Sequence, residues 1–292
     1  SSDLLLTRSS LTTLIEHFAI IPGDARTPLP QKTLFFPRYH QLEVVRQLLS
    51  HARHNGVGHC YLIQHSAGSG KSNSITWTAY QLIELYPPGA DLPLFNSVIV
   101  VTDRRVLDKQ IRDNIKNFSE VKNIVAHAEN STELKTALET GTRIIITTVQ
   151  KFPFIVSAVE DLSDRNFAII IDEAHSSQSG QAADKMNMTL GQETPDPEAE
   201  EPEDVQDKIL KAMEGRKLSK NASYFAFTAT PKQKTLELFG TPQPDGSFRP
   251  FHLYTMRQAI EEGFILDVLE NYTTFTTYFN LQKKVVDDPH VE

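Results

Sequence analysis

The sequence predicts an α/β fold with a parallel sheet flanked by helices, and three observations support this fold class. Short β-branched runs alternate with amphipathic, helix-like stretches across the middle of the chain. An apolar run at 61–63 leads into a Gly- and Ser-rich loop and then a helix-like stretch. A second apolar run ends in two adjacent carboxylates, Asp172 and Glu173. Alternating strands and helices of this kind are typical of a parallel sheet with helices on its faces.

The first element expected along the chain is a short helix from Leu11 to Phe18, with Ser10 as a possible N-cap. A Pro-rich connector follows, through Pro37. We therefore divide the chain into a helix and linker at 1–35, an α/β domain at 36–240, and a segment at 241–292 that leads toward a further domain.

Four further strands are expected after the strand that precedes the loop, at 98–102, 143–148, 167–171 and 222–228. Helix-like stretches lie between them, from Arg105 to Phe118 and from Ser131 to Glu139. Beyond the sheet, a helix-like piece spans Tyr254 to Leu269. The tail from Asn271 alternates Thr with aromatic residues, as a strand of a further domain would.

The loop at 64–72 is predicted to bind phosphate. Its small residues, Gly68, Ser69 and Gly70, let backbone N–H groups turn inward around phosphate oxygens. Lys71 can reach the β- and γ-phosphates, and the Ser72 hydroxyl can hold Mg²⁺. The first glycine of the usual pattern would fall at residue 65, where this chain has His. Taken alone, the loop is also compatible with a simple turn before a helix.

The carboxylates at 172 and 173 supply the acidic groups that the loop does not contain. They follow an apolar run that is short enough for a buried parallel strand, and the carboxyl ends of such strands face the ligand crevice of open α/β sheets. Asp172 is suited to holding Mg²⁺ through water, and Glu173 to orienting an attacking water. Either residue alone would also suit an ordinary strand end. Together with the loop, they indicate a nucleotide phosphohydrolase.

Charge does not exclude a nucleic-acid partner, although the 292-residue chain has a net charge of −8. Eight acidic residues and no basic ones lie between Glu193 and Asp207, so the rest of the chain is neutral overall. This Pro-rich acidic insert at about 191–207 is expected to be a solvated linker. Cys60 is the single cysteine, which excludes an intrachain disulfide and a thiolate metal cluster.

No apolar run reaches membrane-spanning length, and we expect a cytoplasmic protein with no membrane partner. The chain begins with Ser rather than Met and has no signal-peptide pattern, so we expect it to be part of a longer protein.

Two more motifs accompany the loop and the two carboxylates. Thr228 and Thr230 lie in a Phe-Thr-Ala-Thr-Pro sequence after a strand, and Arg38 and Gln41 precede the loop by one helix. The Gln41 amide could contact an adenine edge as both donor and acceptor. In this order, the motifs closely resemble the first RecA-like motor domain of superfamily two helicases and translocases, over about residues 36–240.

Further motifs resemble the restriction (HsdR-type) subunit of type I restriction–modification systems. They are Phe36 to Gln41, His65 to Ser72, Thr102 to Arg105, Asp172 to Gln178, and Gln258 to Ile265. The family has His at the start of its phosphate loop, which accounts for His65. It usually has Arg where this chain has Ser176.

The resemblance implies an ATP-driven motor that moves double-stranded DNA, with ATP and Mg²⁺ as cofactors. It implies that Arg38 and Gln41 lie on the adenine side and that Gly68, Ser69, Gly70, Lys71 and Ser72 bind phosphate. It also implies that Ser72 and Asp172 hold the metal, that Glu173 is the base, and that Thr228 and Thr230 couple the ATP site to movement. Candidate DNA contacts are Thr102, Arg104, Arg105, Thr147, Thr148, Gln150 and Lys151, though such residues are often only solvated.

The same resemblance implies modification and specificity subunits as partners, the latter supplying the DNA recognition sequence. The nuclease and the second motor domain are expected to lie outside this chain, with 258–269 as the bridge to the second domain. We therefore expect this part alone to bind nucleotide weakly and to hydrolyse it slowly if at all. The alternatives are another superfamily two motor, such as a type III restriction subunit or a repair helicase, and a nucleotide-binding module without hydrolysis.

Overall fold

The computed structural model of the chain describes residues 7–19, 28, 34–102, 124–172, 209 and 220–267. Seven strands form one sheet in the order β3-β4-β2-β5-β6-β1-β9, and every neighbouring pair is parallel. Their bounds are Cys60–His65 (β1), Ser97–Thr102 (β2), Val125–His127 (β3), Ile144–Thr148 (β4), Phe167–Ile171 (β5), Ala222–Thr228 (β6) and His252–Tyr254 (β9). Thr241–Pro242 (β7) and Phe248–Arg249 (β8) form a separate antiparallel pair.

The described helices cover both faces of the sheet. They are Arg8–His17 (α1), Tyr39–Asn55 (α2), Lys71–Leu82 (α3), Ser131–Glu139 (α4), Phe152–Asp161 (α5), Gln233–Phe239 (α6) and Met256–Glu261 (α7), and a 3₁₀ turn spans Val149–Lys151. Apolar residues of α1, α2 and α3 form one core with one face of the strands. Residues of α4, α5 and α6 form a second core on the opposite face. The result is a three-layer α/β architecture.

The central strands of the sheet are buried on both sides, which explains why most of their residues are apolar. All five residues of β5 are fully buried, with Ile170 in one core and Ile169 and Ile171 in the other. Successive side chains of a strand point to opposite faces, so a strand covered by helices on both sides needs apolar residues at every position.

The predicted fold class is confirmed: the sheet is parallel and flanked by helices. The helix at Ser131–Glu139 and the strands at 167–171 and 222–228 lie where the sequence placed them. The strands expected at 98–102 and 143–148 are found at Ser97–Thr102 and Ile144–Thr148.

Two helix ends differ from expectation. Helix α1 begins at Arg8 with Thr7 as its N-cap, while Ser10 lies inside the helix and its hydroxyl accepts a hydrogen bond from Arg46 at 2.8 Å. The helix expected across Tyr254 to Leu269 is confined to Met256–Glu261 among the described residues. It ends in a Schellman motif because Gly263 adopts φ 71°, and the Phe264 N–H then bonds to the Ala259 carbonyl.

Strands β3 and β9 were not expected, since each is only three residues long. Strand β9 pairs with β1, so the sheet extends past residue 240, at which the sequence placed the end of the α/β domain. The division of the chain into 1–35, 36–240 and 241–292 stays a prediction.

Several predictions lie outside the described residues: the helix at Arg105–Phe118, the acidic insert at 191–207 and the strand after Asn271. Among the described helices, none combines the length and the apolar character that crossing a membrane requires.

Candidate nucleotide-binding site

The predicted phosphate loop and the predicted metal-linked carboxylate lie at the same edge of the sheet. Strand β6 separates β1 from β5, and Gln64 of β1 pairs with Thr228 of β6. Asp172 directly follows β5, and its N–H bonds to the Val101 carbonyl at 2.9 Å. Because neighbouring strands are about 4.8 Å apart, the ends of β1 and β5 are about 10 Å apart across the sheet. A nucleotide phosphate with its metal can fill this separation.

The loop between β1 and α3 has a backbone that only small residues allow. Gly68 and Gly70 adopt φ 74° and 79°, in the left-handed region, and α3 begins directly afterwards at Lys71. The first-turn N–H groups of a helix have no partner within the helix and lie at the positive end of its dipole. The loop therefore directs backbone donors toward the place where an anion would sit.

The side chains of the loop also fit a polyphosphate. The Lys71 ammonium donates to the Ser66 carbonyl at 3.4 Å and is buried, with 8% of the residue exposed. The hydroxyls of Ser66 and Ser69 are buried and have no hydrogen-bond partner among the described residues. Buried hydroxyls are normally satisfied, so two unpaired ones in this loop are consistent with a phosphate ligand.

The two predicted adenine-side residues contact the loop itself. The Gln41 amide nitrogen donates to the Ser69 and Gly70 carbonyls at 3.2 and 3.0 Å, and its oxygen accepts from the Arg38 N–H at 2.9 Å. The Arg38 guanidinium lies 3.4 Å from the Gly68 carbonyl. Both amide N–H groups of Gln41 are thus already used, and contact with an adenine edge stays a prediction.

The segment after α7 forms a wall beside the loop. The Phe264 ring stacks on the Arg38 guanidinium, with 3.8 Å between the guanidinium carbon and the ring centroid. A Cβ added at Gly68 would lie 2.6 Å from Ile265 Cγ2, so the Ile265 side chain occupies the space beside this glycine. Residues 264–265 therefore contact both Arg38, the predicted adenine-side residue, and the predicted phosphate loop.

Tyr254, at the end of β9, connects this wall to the loop. Its carbonyl accepts from the Ser66 N–H at 3.0 Å, and its ring stacks on His40 with 3.8 Å between centroids. Its hydroxyl donates to Glu262 at 2.8 Å, and the same carboxylate accepts from the Tyr39 hydroxyl at 2.9 Å. Burial and this carboxylate raise the pKa of Tyr254. Strand β9, helix α2 and the wall are thus tied together around one carboxylate.

Three buried histidines lie behind the loop. His40 Nε2 lies 2.9 Å from the Ser69 carbonyl, and His65 Nε2 lies 2.8 Å from His252 Nδ1. Burial lowers the pKa of all three, and that of His65 falls to about 2. For His252 the Glu43 carboxylate, 3.5 Å away, partly opposes this effect. A neutral imidazole has one donor and one acceptor nitrogen, so these rings bind as neutral hydrogen-bonding groups.

The remaining predicted catalytic residues are only partly placed. Asp172 is buried at the end of β5, Ser72 is partly exposed in the first turn of α3, and Glu173 lies outside the described residues. Thr228 is fully buried at the end of β6, and Thr230 is exposed two residues later. Thr228 lies between the phosphate loop and Asp172, where a coupling residue would be needed. Its role stays a prediction.

The candidate DNA contacts fall into two groups. Thr102 and Thr147 are fully buried, and their hydroxyls donate to the carbonyls of Thr147 at 3.4 Å and Ala128 at 3.0 Å. They are therefore not presented to a ligand in this structure. Thr148 and Lys151 are partly exposed and bonded to each other at 3.2 Å, and Gln150 is exposed. Arg104 and Arg105 lie outside the described residues.

Comparison with known proteins decides the family. The profile of the SWI2/SNF2 ATPase family matches residues 40–291, which is most of the chain. The chain belongs to this family. The match includes the loop, Asp172, β9 and the wall at 264–265. Members of an ATPase family use a nucleotide, in agreement with the fit of the loop to a polyphosphate.

The relatives of this SWI2/SNF2 ATPase chain confirm the resemblance to type I restriction subunits. It is 26% identical to the endonuclease subunit of a type I restriction enzyme from Staphylococcus aureus (strain COL) over 97% of its length, which is 26% of that subunit. It is 32% identical to the C-terminal part of a putative type I endonuclease subunit from Mycoplasma pneumoniae, over 40% of this chain and 57% of that one. The chain thus spans about a quarter of the length of the Staphylococcus relative.

Among solved structures, a fragment of a putative HsdR subunit from Vibrio vulnificus YJ016 matches with a TM-score of 0.44 and 14% identity. The match covers 97% of this chain and 41% of the fragment.

Sequence reasoning missed several residues around the loop of this SWI2/SNF2 ATPase chain. They are His252, Tyr254, Glu43 and the pairing of Glu262 with two tyrosines. The only sequence signal was the Gln258–Ile265 motif, which resembled the family without indicating a contact with the loop. A three-residue strand carries too little periodicity to be recognised, and only the sheet brings it beside His65.

Proposed function

We propose that this chain is the ATP-binding half of the motor by which a type I restriction subunit translocates double-stranded DNA. The observation that carries the proposal is the common sheet edge at which the loop 66–72 and Asp172 face each other across Thr228. The family and the type I relatives support this assignment. The modification and specificity subunits of a type I complex are its proposed partners.

In the proposed site, the loop holds the phosphates of ATP and the wall at 264–265 closes one side. Lys71 and the hydroxyls of Ser66 and Ser69 supply cationic and neutral donors to phosphate oxygens. Mg²⁺ would be held by Ser72 and, through water, by Asp172, which are the oxygen ligands that this ion prefers. When bound, the metal neutralises charge that develops on the phosphates. Glu173 is proposed to orient the attacking water.

DNA is proposed to contact the far side of the same edge, after β2 and β4. Among the described residues the accessible candidates are Thr148, Gln150 and Lys151. Arg104 and Arg105, outside the described residues, are proposed as further contacts on the sequence motif alone. Contacts from such residues to phosphates carry no sequence information, which suits a motor that tracks along any duplex.

Calorimetry with MgATP on the full-length protein tests the site. Lys71→Ala is expected to weaken binding by about 100-fold or more, since it removes the buried cation beside the phosphates. Lys135→Ala is the control, because Lys135 is an exposed cation that pairs with Glu139 on α4. Equal binding by wild type and Lys71→Ala would contradict the proposed site.

Hydrolysis separates the motor from a nucleotide-binding module. DNA-stimulated phosphate release by wild type, lost in Glu173→Gln while MgATP binding persists, is the result expected of a motor. Binding without any DNA-stimulated release in the full-length protein would support the module instead.

A further inference from the structure

Three side chains in successive contact connect the surface of α2 to the start of the proposed phosphate loop. The Glu43 carboxylate lies 3.5 Å from His252 Nε2, and His252 Nδ1 lies 2.8 Å from His65 Nε2. Glu43 is half exposed, whereas His65 and His252 are buried, with 0% and 9% of each residue exposed. The three residues come from α2, β9 and β1, so their contacts tie three elements together.

The two contacts fix the direction of each hydrogen bond. A carboxylate only accepts, so His252 Nε2 carries the proton that faces Glu43, and its Nδ1 is the bare acceptor. His65 Nε2–H then donates to that acceptor. His65 Nδ1 is left as a buried acceptor without a partner among the described residues. The Nε2–Nδ1 bond is thus the only described side-chain hydrogen bond of His65, and without it neither nitrogen of this buried ring would be satisfied.

The position of His65 makes this bond important for the loop. His65 is the last residue of β1, and the next residue, Ser66, begins the turn around the phosphate site. Ser66 N–H bonds to the Tyr254 carbonyl, two residues from His252 on the same short strand. Strand β9 therefore holds the start of the loop twice, once through a side chain and once through the backbone.

We infer that His252 is a positioning residue for the phosphate loop: it fixes the His65 ring, and with it the direction in which the chain leaves β1 toward the phosphates. A glycine at 65 would leave this direction to the backbone alone, whereas a histidine locked by His252 and Glu43 sets it by side-chain geometry. This inference rests on the proposed ATP site, because it concerns how tightly that site binds phosphate.

Two amide substitutions at 252 separate the two contacts. An Asn side chain can place its oxygen near the position of Nδ1, and a Gln side chain can place its amide near that of Nε2. His252→Asn therefore keeps an acceptor for His65 and loses Glu43, whereas His252→Gln keeps Glu43 and loses His65. We expect the dissociation constant for MgADP to stay within about twofold in the Asn variant. It should rise about tenfold in His252→Gln and His252→Ala, which is the effect of losing one hydrogen bond.

The pattern should invert at the partner residue. His65 bonds through Nε2, so His65→Gln keeps the donor and His65→Asn does not. Gln is then expected to preserve MgADP affinity at 65, and Asn to preserve it at 252. General destabilisation by a smaller or larger side chain would not produce this crossed result.

His51 provides the matched control. It is a half-buried histidine on α2 whose Nδ1 lies 3.0 Å from the Tyr61 hydroxyl, at the other end of β1. Tyr61 is four residues from His65, or about 13 Å along the strand. His51→Asn and His51→Gln are expected to change the melting temperature without changing MgADP affinity.

Calorimetry on the full-length variants, with melting temperatures measured in parallel, decides the matter. The crossed Asn and Gln pattern supports the inference. It is overturned if all variants at 65 and 252 bind as wild type does, or if their affinities follow melting temperature alone. Lys71→Ala in the same series distinguishes a failure of the proposed ATP site from a failure of the positioning role. Unchanged binding in that variant would overturn the ATP site itself. Loss of binding in Lys71→Ala with wild-type binding in every histidine variant would overturn only the positioning role.

Discussion

The two halves of the sheet's carboxyl edge are built differently. At the β1 and β9 half, side chains from the start of α2 and from the segment after α7 converge on one loop, at its carbonyls and its glycines. Strand β9 contacts the start of the same loop through the Tyr254 carbonyl and His252. At the β2 and β4 half, the Thr102 hydroxyl bonds to a carbonyl of β4 and the Thr147 hydroxyl to the carbonyl of Ala128, just after β3. Among the candidates that the structure describes there, only Thr148, Gln150 and Lys151 are accessible.

We interpret this difference as that between a preorganised loop and a more open surface. In the β1 and β9 half, residues that are distant in the sequence fix the position of one loop. This is expected of a site that binds a small ligand with defined geometry. In the β2 and β4 half, the buried threonine hydroxyls bond to backbone carbonyls, and a few polar side chains stay accessible. This arrangement suits loose contacts to a long polymer. Substitutions in the first half should therefore change nucleotide affinity, and those in the second half should change DNA affinity.

Among the substitutions that test this comparison, the largest effect is expected for Gly68→Ala. A left-handed φ costs an L-residue about 1–2 kcal/mol, and the new Cβ would also collide with Ile265. We expect MgATP affinity, measured by calorimetry, to fall about 30-fold, corresponding to about 2 kcal/mol.

Gly89→Ala is the control for this substitution, since Gly89 has φ 73° but nothing within 4 Å of an added Cβ. It should lower stability alone. Adding Ile265→Ala to Gly68→Ala should recover part of the affinity. No recovery in the double variant would show that Ile265 is not the obstacle.

Acidification is expected to destabilise the histidine-rich half next most strongly. The pKa of His65 is lowered to about 2 by burial, aided by His252, His40 and Lys71, whereas the unfolded chain protonates near its ordinary value of about 6.5. Below that value only the unfolded state gains a proton, so stability falls as pH falls. Between pH 7 and pH 5 this residue alone should cost about 2 kcal/mol in the free energy of unfolding.

Urea titrations at the two pH values measure this cost. His65→Gln should flatten the dependence, although His40 and His252 shift in the same direction and leave a residual slope. His54→Gln changes an exposed histidine and serves as the control. An unchanged slope in His65→Gln would contradict the burial of an uncharged ring at 65.

A smaller effect is expected for Phe264→Ala, which removes the ring stacked on Arg38. A partly desolvated cation–π contact stabilises by about 1–2 kcal/mol, so MgATP should bind about tenfold more weakly by calorimetry. Phe264→Tyr should restore binding, because its ring can stack in the same way. Phe248→Ala, in the β7–β8 pair, should leave affinity unchanged, and equal losses at 248 and 264 would argue against a local role for the wall.

The smallest effect is expected on the DNA side. Lys151→Ala should weaken duplex binding about threefold and lower the salt dependence of the logarithm of the binding constant by about one unit, as expected when one phosphate contact is removed. Lys135→Ala is again the matched control, and fluorescence anisotropy over a salt series measures both quantities. An unchanged salt slope in Lys151→Ala would remove Lys151 from the DNA surface.

Much of the fold was predictable because its signals are local. The continuous apolar run of β5 and the helix-like pattern of Ser131–Glu139 identify their elements within a few residues. The loop was recognisable from its own nine residues. Helix α7 was predicted too long because Gly263, which ends it, lies inside an otherwise helical pattern.

By itself, the sequence determined the parallel α/β class, and it identified the candidate phosphate loop and the candidate carboxylates at 172 and 173, since each depends on residues adjacent in the chain. Only the tertiary structure decided what holds that loop: His252 and Tyr254 come from a strand about 190 residues later, and Phe264 and Ile265 from the segment after it. Strand order and register decide which residues these side chains contact. Both arise from burial of the whole sheet, and a three-residue strand is too short to show a periodic pattern. Burial in the sheet also places Thr102 and Thr147 in the interior, whereas the sequence had predicted them as DNA contacts.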